Sequence, residues 1–217
     1  MYWAIMKRIV ILISGRGSNM QALLKAKLSC RIVAVISNRA DAPGLAIARQ
    51  YGVPTTVVSH TDFADRETFD AALATCIDQY RPDLIALAGF MRILTPAFVA
   101  RYLGCLINIH PSLLPAYGGL DTHARALRDG VKIHGCTVHF VTNDLDRGPI
   151  IIQAAVSVLM HDTSTTLAAR VLLQEHRIYA QAIHWFCEDF LSLTVDGRVL
   201  LHRVKQPGCA LISPSLY

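Results

Sequence analysis

An amide and an imidazole two residues apart on a strand can serve one ligand together, and Asn108-Ile109-His110 has that spacing. Successive strand residues point to opposite faces, so Asn108 and His110 share one face and Ile109 takes the other. Pro111 disfavours helix at His110 and offers no backbone N–H, so the strand should stop there. The run Asn108-Ile109-His110-Pro111-Ser112-Leu113-Leu114-Pro115 thus predicts a hydrogen-bond donor and a proton-handling ring at a strand's C-terminal end. In an open α/β sheet, ligands bind there. A polar strand end that is simply solvated would have the same spacing.

Three more segments carry chemistry. Gly15-Arg16-Gly17-Ser18-Asn19 lies between a predicted strand and helix, where glycines admit close backbone approach and the helix start favours an anion. A dinucleotide fingerprint needs a third glycine three positions after Gly17, and Met20 stands there; no Walker lysine follows. The turn reads as a phosphate cradle, or as an ordinary connection with Ser18 as N-cap. Gly89-Phe90-Met91-Arg92-Ile93-Leu94 leaves the strongest apolar strand and could line a cleft for a flat ring, or be core leading into a helix. Val141 to Pro149 is a polar loop with two aspartates, Asp144 and Asp146. A carboxylate near His110 would favour an imidazolium, and spacing alone does not choose between them.

The elements that must position these groups alternate. Strands are expected at Arg8–Ser14, Arg31–Ser37, Pro54–Val58, Asp83–Ala88 and Leu106–His110. Helices are expected at Ser18–Lys27, Pro43–Tyr51, Asp65–Tyr80 and Pro96–Tyr102. Two long strands, Lys132–Val141 and Ile150–Leu159, precede a helix from Thr163 to about Phe190, and Val195-Asp196-Gly197-Arg198 predicts a hairpin turn. Near-continuous apolar strands separated by helices predict a single α/β domain, a mostly parallel central sheet with helices on both faces. Residues 1–6 read as an N-terminal extension, 7–203 as the domain and 204–217 as a C-terminal tail.

Composition narrows the function classes. Of 217 residues, 53% are hydrophobic, enough for a substantial core. No apolar run approaches the ~18–20 residues that span a bilayer, so no membrane association is expected and a cytoplasmic location is. The six cysteines (Cys30, Cys76, Cys105, Cys136, Cys187 and Cys209) form no C-x-x-C pair, which speaks against a disulfide framework or structural zinc. Nine histidines include no H-E-x-x-H spacing, so no metal is expected. A net charge of +5 without a dense basic block does not suggest nucleic acid.

Taken in order, the segments resemble the phosphoribosylglycinamide formyltransferase family. The resemblance is carried by I-S-G-R-G-S-N from Ile13, L-A-G-F-M-R-I-L from Leu87, and N-I-H-P-S-L-L-P from Asn108. H-G-C-T-V-H-F-V from His134, D-x-G-P-I-I-x-Q from Asp146, and Q-E-H-x-I-Y from Gln174 complete it. It runs from about Lys7 to about Leu201 and implies a Rossmann-like formyltransferase fold. It also implies transfer of a formyl group from 10-formyltetrahydrofolate, a cosubstrate rather than a prosthetic group, to the amine of glycinamide ribonucleotide in purine synthesis. Carried over residue by residue, Gly17, Ser18 and Asn19 would hold the ribose phosphate, and Glu175 would contact the same substrate. Arg66, Met91, Arg92, Ile93 and Leu94 would bind the folate, with Asn108. Asn108, His110 and Asp146 would be catalytic, Asp146 being preferred to Asp144 because the motif aspartate precedes x-Gly-Pro. The partners are then small molecules, with the chain a monomer or homodimer.

Where the family usually reads Pro-Gly-Leu-His-Thr-His, this chain has Gly118-Gly119-Leu120-Asp121-Thr122-His123. Glycine for proline should loosen the loop, and aspartate for histidine reverses its potential charge. Two enzymes of the wider formyl-folate group would share the sheet or the Asn/His/Asp set. A hydrolase of the formyl donor is expected to carry a further N-terminal domain, and a methionyl-tRNA formyltransferase an RNA-binding C-terminal one. A non-catalytic phosphate-binding module is the remaining alternative, against which the intact Asn108, His110 and Asp146 argue.

Overall fold

The computed structural model describes residues 6–194, 196–203 and 213. The expected extension before Met6 and the tail after Arg203, residue 213 apart, lie outside them. Seven strands form a mostly parallel sheet in the order Thr55–Val57, Cys30–Ser37, Lys7–Ile13, Leu84–Leu87, Leu106–His110, Ile133–Phe140, Ile150–Ser157, with helices between them in the chain, so the α/β class stands. The chain divides into two compact units, one of residues up to Asn108 with Phe140–Asn143, the other of Ile109–His139 and the residues from Asp144 onward.

The first unit contains β1 (Lys7–Ile13), α1 (Ser18–Lys25), β2 (Cys30–Ser37), α2 (Pro43–Gln50), β3 (Thr55–Val57), a 3₁₀ turn at His60–Asp62, α3 (Arg66–Asp78), β4 (Leu84–Leu87) and α4 (Pro96–Arg101). It also holds the first residues of β5 (Leu106–His110). Pairing β3-β2-β1-β4-β5 is parallel throughout. Parallel strands are covered on both faces, which is why β1 is an unbroken apolar run from Ile9 and Ile9 to Ile13 are fully buried. Val10, Leu12 and Ile85 pack with Phe69, Leu73 and Ile77 of α3 in one core cluster. The α3 apolar residues recur at helical spacing, and Asp65 caps the helix by accepting the Thr68 N–H at 2.8 Å.

The first βα turn is built tightly. Gly17, at φ 71°, is the N-cap of α1, so Ser18 begins the helix rather than capping it. A left-handed backbone at this point suits glycine. Gly44 of α2 approaches the same turn: a Cβ there would lie 2.6 Å from Ile13 Cδ1 and 3.0 Å from the Gly15 carbonyl oxygen. The Gly44 N–H donates to that carbonyl at 3.1 Å.

The second unit continues from the end of β5 through α5 (Thr122–Arg128), β6 (Ile133–Phe140, whose last residue belongs to the first unit), β7 (Ile150–Ser157) and α6 (Ser164–Cys187) to β8 (Leu191–Leu193) and β9 (Val199–Leu201). β6 and β7 are antiparallel, with an irregularity between Val138 and His139. A capping box between Thr163 and Thr166 starts α6, whose buried face runs Leu167, Val171, Glu175, Ile178, Tyr179, Ala182 and Ile183. The helix ends earlier than expected because Leu191–Leu193 is taken into an antiparallel hairpin with Val199–Leu201. Its turn closes by a Gly197 N–H donated to the Thr194 carbonyl, where sequence expects a turn. α5 was not expected. It is a short helix entered from Asp121 at φ 55°, and neither length nor apolar period announces it.

Candidate active site

Within the second unit, β5 delivers His110 with its side chain only 8% exposed, and Pro111 ends the strand as expected. The segment after it is held by polar contacts from β6 and β7. Thr137 Oγ1 donates to the Ser112 carbonyl at 2.7 Å and accepts the Leu114 N–H at 3.1 Å. Gln153 Nε2 donates to the Leu114 carbonyl at 2.8 Å and to Thr137 Oγ1 at 2.9 Å. Thr122 Oγ1 of α5 donates to the Pro111 carbonyl at 2.7 Å. Side chains of Thr122, Thr137 and Gln153 thus satisfy backbone groups of this irregular segment, which fixes where His110 sits.

His110 Nε2 lies 3.0 Å from the Tyr117 carbonyl oxygen, which can only accept, so Nε2 carries a proton. Nδ1 faces Asp146 Oδ2 at 3.5 Å. Both ring nitrogens therefore face oxygen acceptors. The Asp146 side chain is as buried as the ring, at 8% exposure. Its Oδ2 accepts the Gly119 N–H at 2.8 Å, and its Oδ1 lies 3.9 Å from His139 Nε2. Asp146 stands at φ 54° in the left-handed region, which aspartate tolerates better than most residues. Asp144 is exposed.

Sequence reasoning did not single out His139, Tyr117 or Gly119. The signal for His139 was an ionisable residue near the end of a strand that is otherwise mostly apolar, shared with His134. The other two act through backbone groups and leave no signal in residue type. Two further histidines lie in this unit, His134 buried and His123 half-buried. The His123 and His134 rings meet edge to face with centroids 5.2 Å apart, and the Tyr117 ring packs on His134 at 5.8 Å. Burial first, and then the His123 ring alongside, pushes His134 down to about 4. Burial, then His110, lowers His123. These rings are neutral at physiological pH. Glu175 is buried on α6 at 8% exposure; burial first, and then the Glu175 charge, pushes the Cys136 thiol up to about 12.

In the first unit, Gly17 and Asn19 are buried and Ser18 half-buried at the head of α1. An eight-residue helix start with a glycine cap and no acidic residue in its first turn can receive an anion. Asn108 is half-buried in β5, opposite Leu87 of β4. The segment after β4 is anchored at both ends: the Met91 N–H donates to Ser14 Oγ at 2.8 Å, and the Thr95 N–H to Asp70 Oδ2 at 2.6 Å. Between the anchors Met91 and Ile93 stand 64% and 59% exposed, apolar surface without cover from this unit, while Leu94 packs on the core. The Arg92 guanidinium lies over the Phe69 ring at 5.6 Å, and its Nε is buried without a hydrogen-bond partner among the described residues. Arg66 is exposed at the start of α3. No group of three or more potential metal-ligating side chains occurs among the described residues.

Comparison with known proteins places relatives beside this geometry. The family described as formyl transferase matches residues 7–183. Phosphoribosylglycinamide formyltransferase of Escherichia coli (strain K12) is 50% identical over 198 residues, covering 89% of this chain and 90% of that protein. The human trifunctional purine biosynthetic protein adenosine-3 is 43% identical over 196 residues, 88% of this chain but 19% of that protein's length. The crystal structure of glycinamide ribonucleotide transformylase 1 from Symbiobacterium toebii superposes with a TM-score of 0.89 at 46% identity, covering 93% of this chain and 97% of that one.

Proposed function

We propose that this chain, which belongs to the formyl transferase family, moves the formyl group of 10-formyltetrahydrofolate to the amine of phosphoribosylglycinamide in purine synthesis. The observation that carries the reading is His110, buried at a strand end with Nε2 on a backbone carbonyl and Nδ1 toward the buried Asp146 carboxylate. Formyl transfer to an amine needs an oxyanion stabilised and protons moved between two nitrogens, without redox chemistry.

The substrate amine attacks the formyl carbon, and negative charge develops on the formyl oxygen. The Asn108 amide stabilises it by a hydrogen bond and the His110 imidazolium by its charge, and removing such a preorganised group typically costs on the order of 10²–10³ in rate. Asp146 orients the ring and balances its charge. As the tetrahedral intermediate collapses, the proton lost by the attacking amine reaches the leaving folate nitrogen through His110 or a water. The phosphate of the amine substrate is received by Gly17, Ser18 and Asn19, and Glu175 binds the same substrate. The folate is bound by Arg66 and Met91 to Leu94, with Asn108. The exposed Met91 and Ile93 side chains supply apolar cover for its flat rings, and the buried Arg92 Nε is a donor that a ring acceptor would satisfy. The folded domain is assigned to residues 7–203 and the location to the cytoplasm. No helix among the described residues is long and apolar enough to cross a membrane.

The test is deformylation of formyl-folate followed with and without phosphoribosylglycinamide. Turnover that requires the amine, with the formyl group recovered on it, is the expected result. Turnover without the amine would make the chain a hydrolase of the same donor. No turnover in either mixture would leave a binding module.

A further inference from the structure

Tyr117 adopts φ 55°, a conformation a bulky side chain rarely takes, in a turn where Gly119 and Asp121 are also left-handed. Each non-glycine residue held there costs roughly 1–2 kcal/mol, so something must hold the turn. Arg125, one turn into α5, spans it. Its Nη1 donates to the Gly118 carbonyl at 2.6 Å and reaches the Leu120 carbonyl at 3.3 Å, and its guanidinium lies 5.6 Å from the centre of the Tyr117 ring. The helix that carries Arg125 is itself tied down, by Thr122 to Pro111 and by the Arg125 N–H to the Asp121 carbonyl.

The turn so held presents two backbone groups to the buried pair. The Tyr117 carbonyl receives His110 Nε2, and the Gly119 N–H holds Asp146 Oδ2. We infer that Arg125 is a positioning residue for formyl transfer, fixing the 117–120 turn so that its carbonyl and its N–H hold His110 and Asp146 in register. This rests on the reading of His110 and Asp146 as the proton-handling pair. Arg125 acts on the pair indirectly, through the Gly118 and Leu120 carbonyls and the Tyr117 ring. A planar guanidinium whose Nη1 bonds two carbonyls while its face lies against a ring is arginine chemistry; a lysine ammonium keeps the charge and the donors but has no plane to lay against the ring.

The test compares wild type with Arg125→Ala and Arg125→Lys, measuring kcat and both KM values from pH 5.5 to 9 together with thermal unfolding. Arg125→Ala should lower kcat about tenfold, equivalent to about 1.4 kcal/mol, leave KM for formyl-folate within about threefold, and move the pH at which kcat is half-maximal. Arg125→Lys should fold as wild type and recover part of the loss. An Arg125→Ala enzyme with wild-type kcat and pH profile overturns the inference. So does a kcat that falls only in proportion to the unfolded fraction with its pH profile unmoved, which would make Arg125 a stability residue. His110→Ala and Asp146→Asn assayed alongside separate the two layers. If they keep wild-type turnover, the reading of the pair fails; if they lose it while Arg125→Ala does not, only the Arg125 inference fails.

Discussion

Gly119 holds Asp146 more tightly than His110 does: the Gly119 N–H reaches Oδ2 at 2.8 Å, and the imidazole Nδ1 stands 3.5 Å from the same oxygen. The carboxylate is thus fixed chiefly by a loop backbone, leaving the ring a looser partner. Hydrogen bonds to a charged acceptor contribute about 1.5–3 kcal/mol, so the loop contact is a large part of what keeps a buried carboxylate in place.

Neighbouring glycines on that loop should answer differently to alanine. Gly118 does not have a positive φ, and a Cβ there would meet Asp146 Cβ at 3.6 Å, ordinary contact. Gly119 has φ 78° with open space around it. Gly118→Ala should leave turnover within about twofold, whereas Gly119→Ala should strain the turn by roughly 1–2 kcal/mol and lower kcat with it. Equal effects, measured by steady-state kinetics, would remove the Gly119 N–H from the account. The same geometry bears on the departure at Gly118: the turn does not require glycine there, so its freedom is a property of this chain's sequence and not a steric demand.

The two loop aspartates test the site from the other side. Asp146→Asn keeps shape and removes charge beside His110, and should reduce turnover by about 10² or more, as losing a preorganised electrostatic partner does. Asp144 is exposed, and Asp144→Asn should change the barrier by no more than ~0.5 kcal/mol. A reversed ranking in kcat would show that the wrong carboxylate has been assigned.

Much of this was legible in residue order, and the exceptions have physical reasons. β5 ends at His110 because Pro111 follows, and β1 is fully buried from Ile9 to Ile13 because a parallel strand has two covered faces. The choice of Asp146 over Asp144 could not come from spacing, since both sit in one polar loop and only the folded loop buries one of them. His139 escaped notice because its partner lies in a loop beyond β6 and the strand is irregular at Val138 and His139. Tyr117 and Gly119 contribute backbone atoms, which any residue carries; their roles depend on left-handed dihedrals that sequence does not announce.

Acid should weaken the fold in two separable windows. His134 is held down to about 4 by burial and by His123, against about 6.5 in an unfolded chain. Between those values the unfolded chain binds a proton that native His134 does not, so stability rises with pH across the window and is lost on acidification. The Arg170 guanidinium, hydrogen-bonded to Asp162, holds that carboxyl well below the usual range. Its contribution is present above the ordinary carboxylate value, about 4, and declines only as pH falls below it. Urea midpoints at pH 7, 5.5 and 4.5 should fall for wild type and change less for His134→Phe. Equal slopes would exclude His134 as the source.

The first βα turn should distinguish phosphate from dinucleotide. With Met20 in place of the third glycine and a glycine cap on α1, titration with NAD should show no saturable binding. An amine substrate stripped of its phosphate should have KM raised about 10–100-fold, the worth of one or two charge-assisted hydrogen bonds. Equal KM values would contradict the assignment of Gly17, Ser18 and Asn19.

The most direct measurement is the kcat of His110→Ala for formyl transfer to phosphoribosylglycinamide, with the affinity of both substrates measured on the same preparation. If His110 handles the proton and stabilises the oxyanion, kcat falls by roughly 10²–10⁴ while both affinities stay within a few-fold, because the ring acts in the transition state and not in ground-state binding. A variant that transfers formyl groups at near wild-type kcat would contradict the central claim, whatever its substrate affinities.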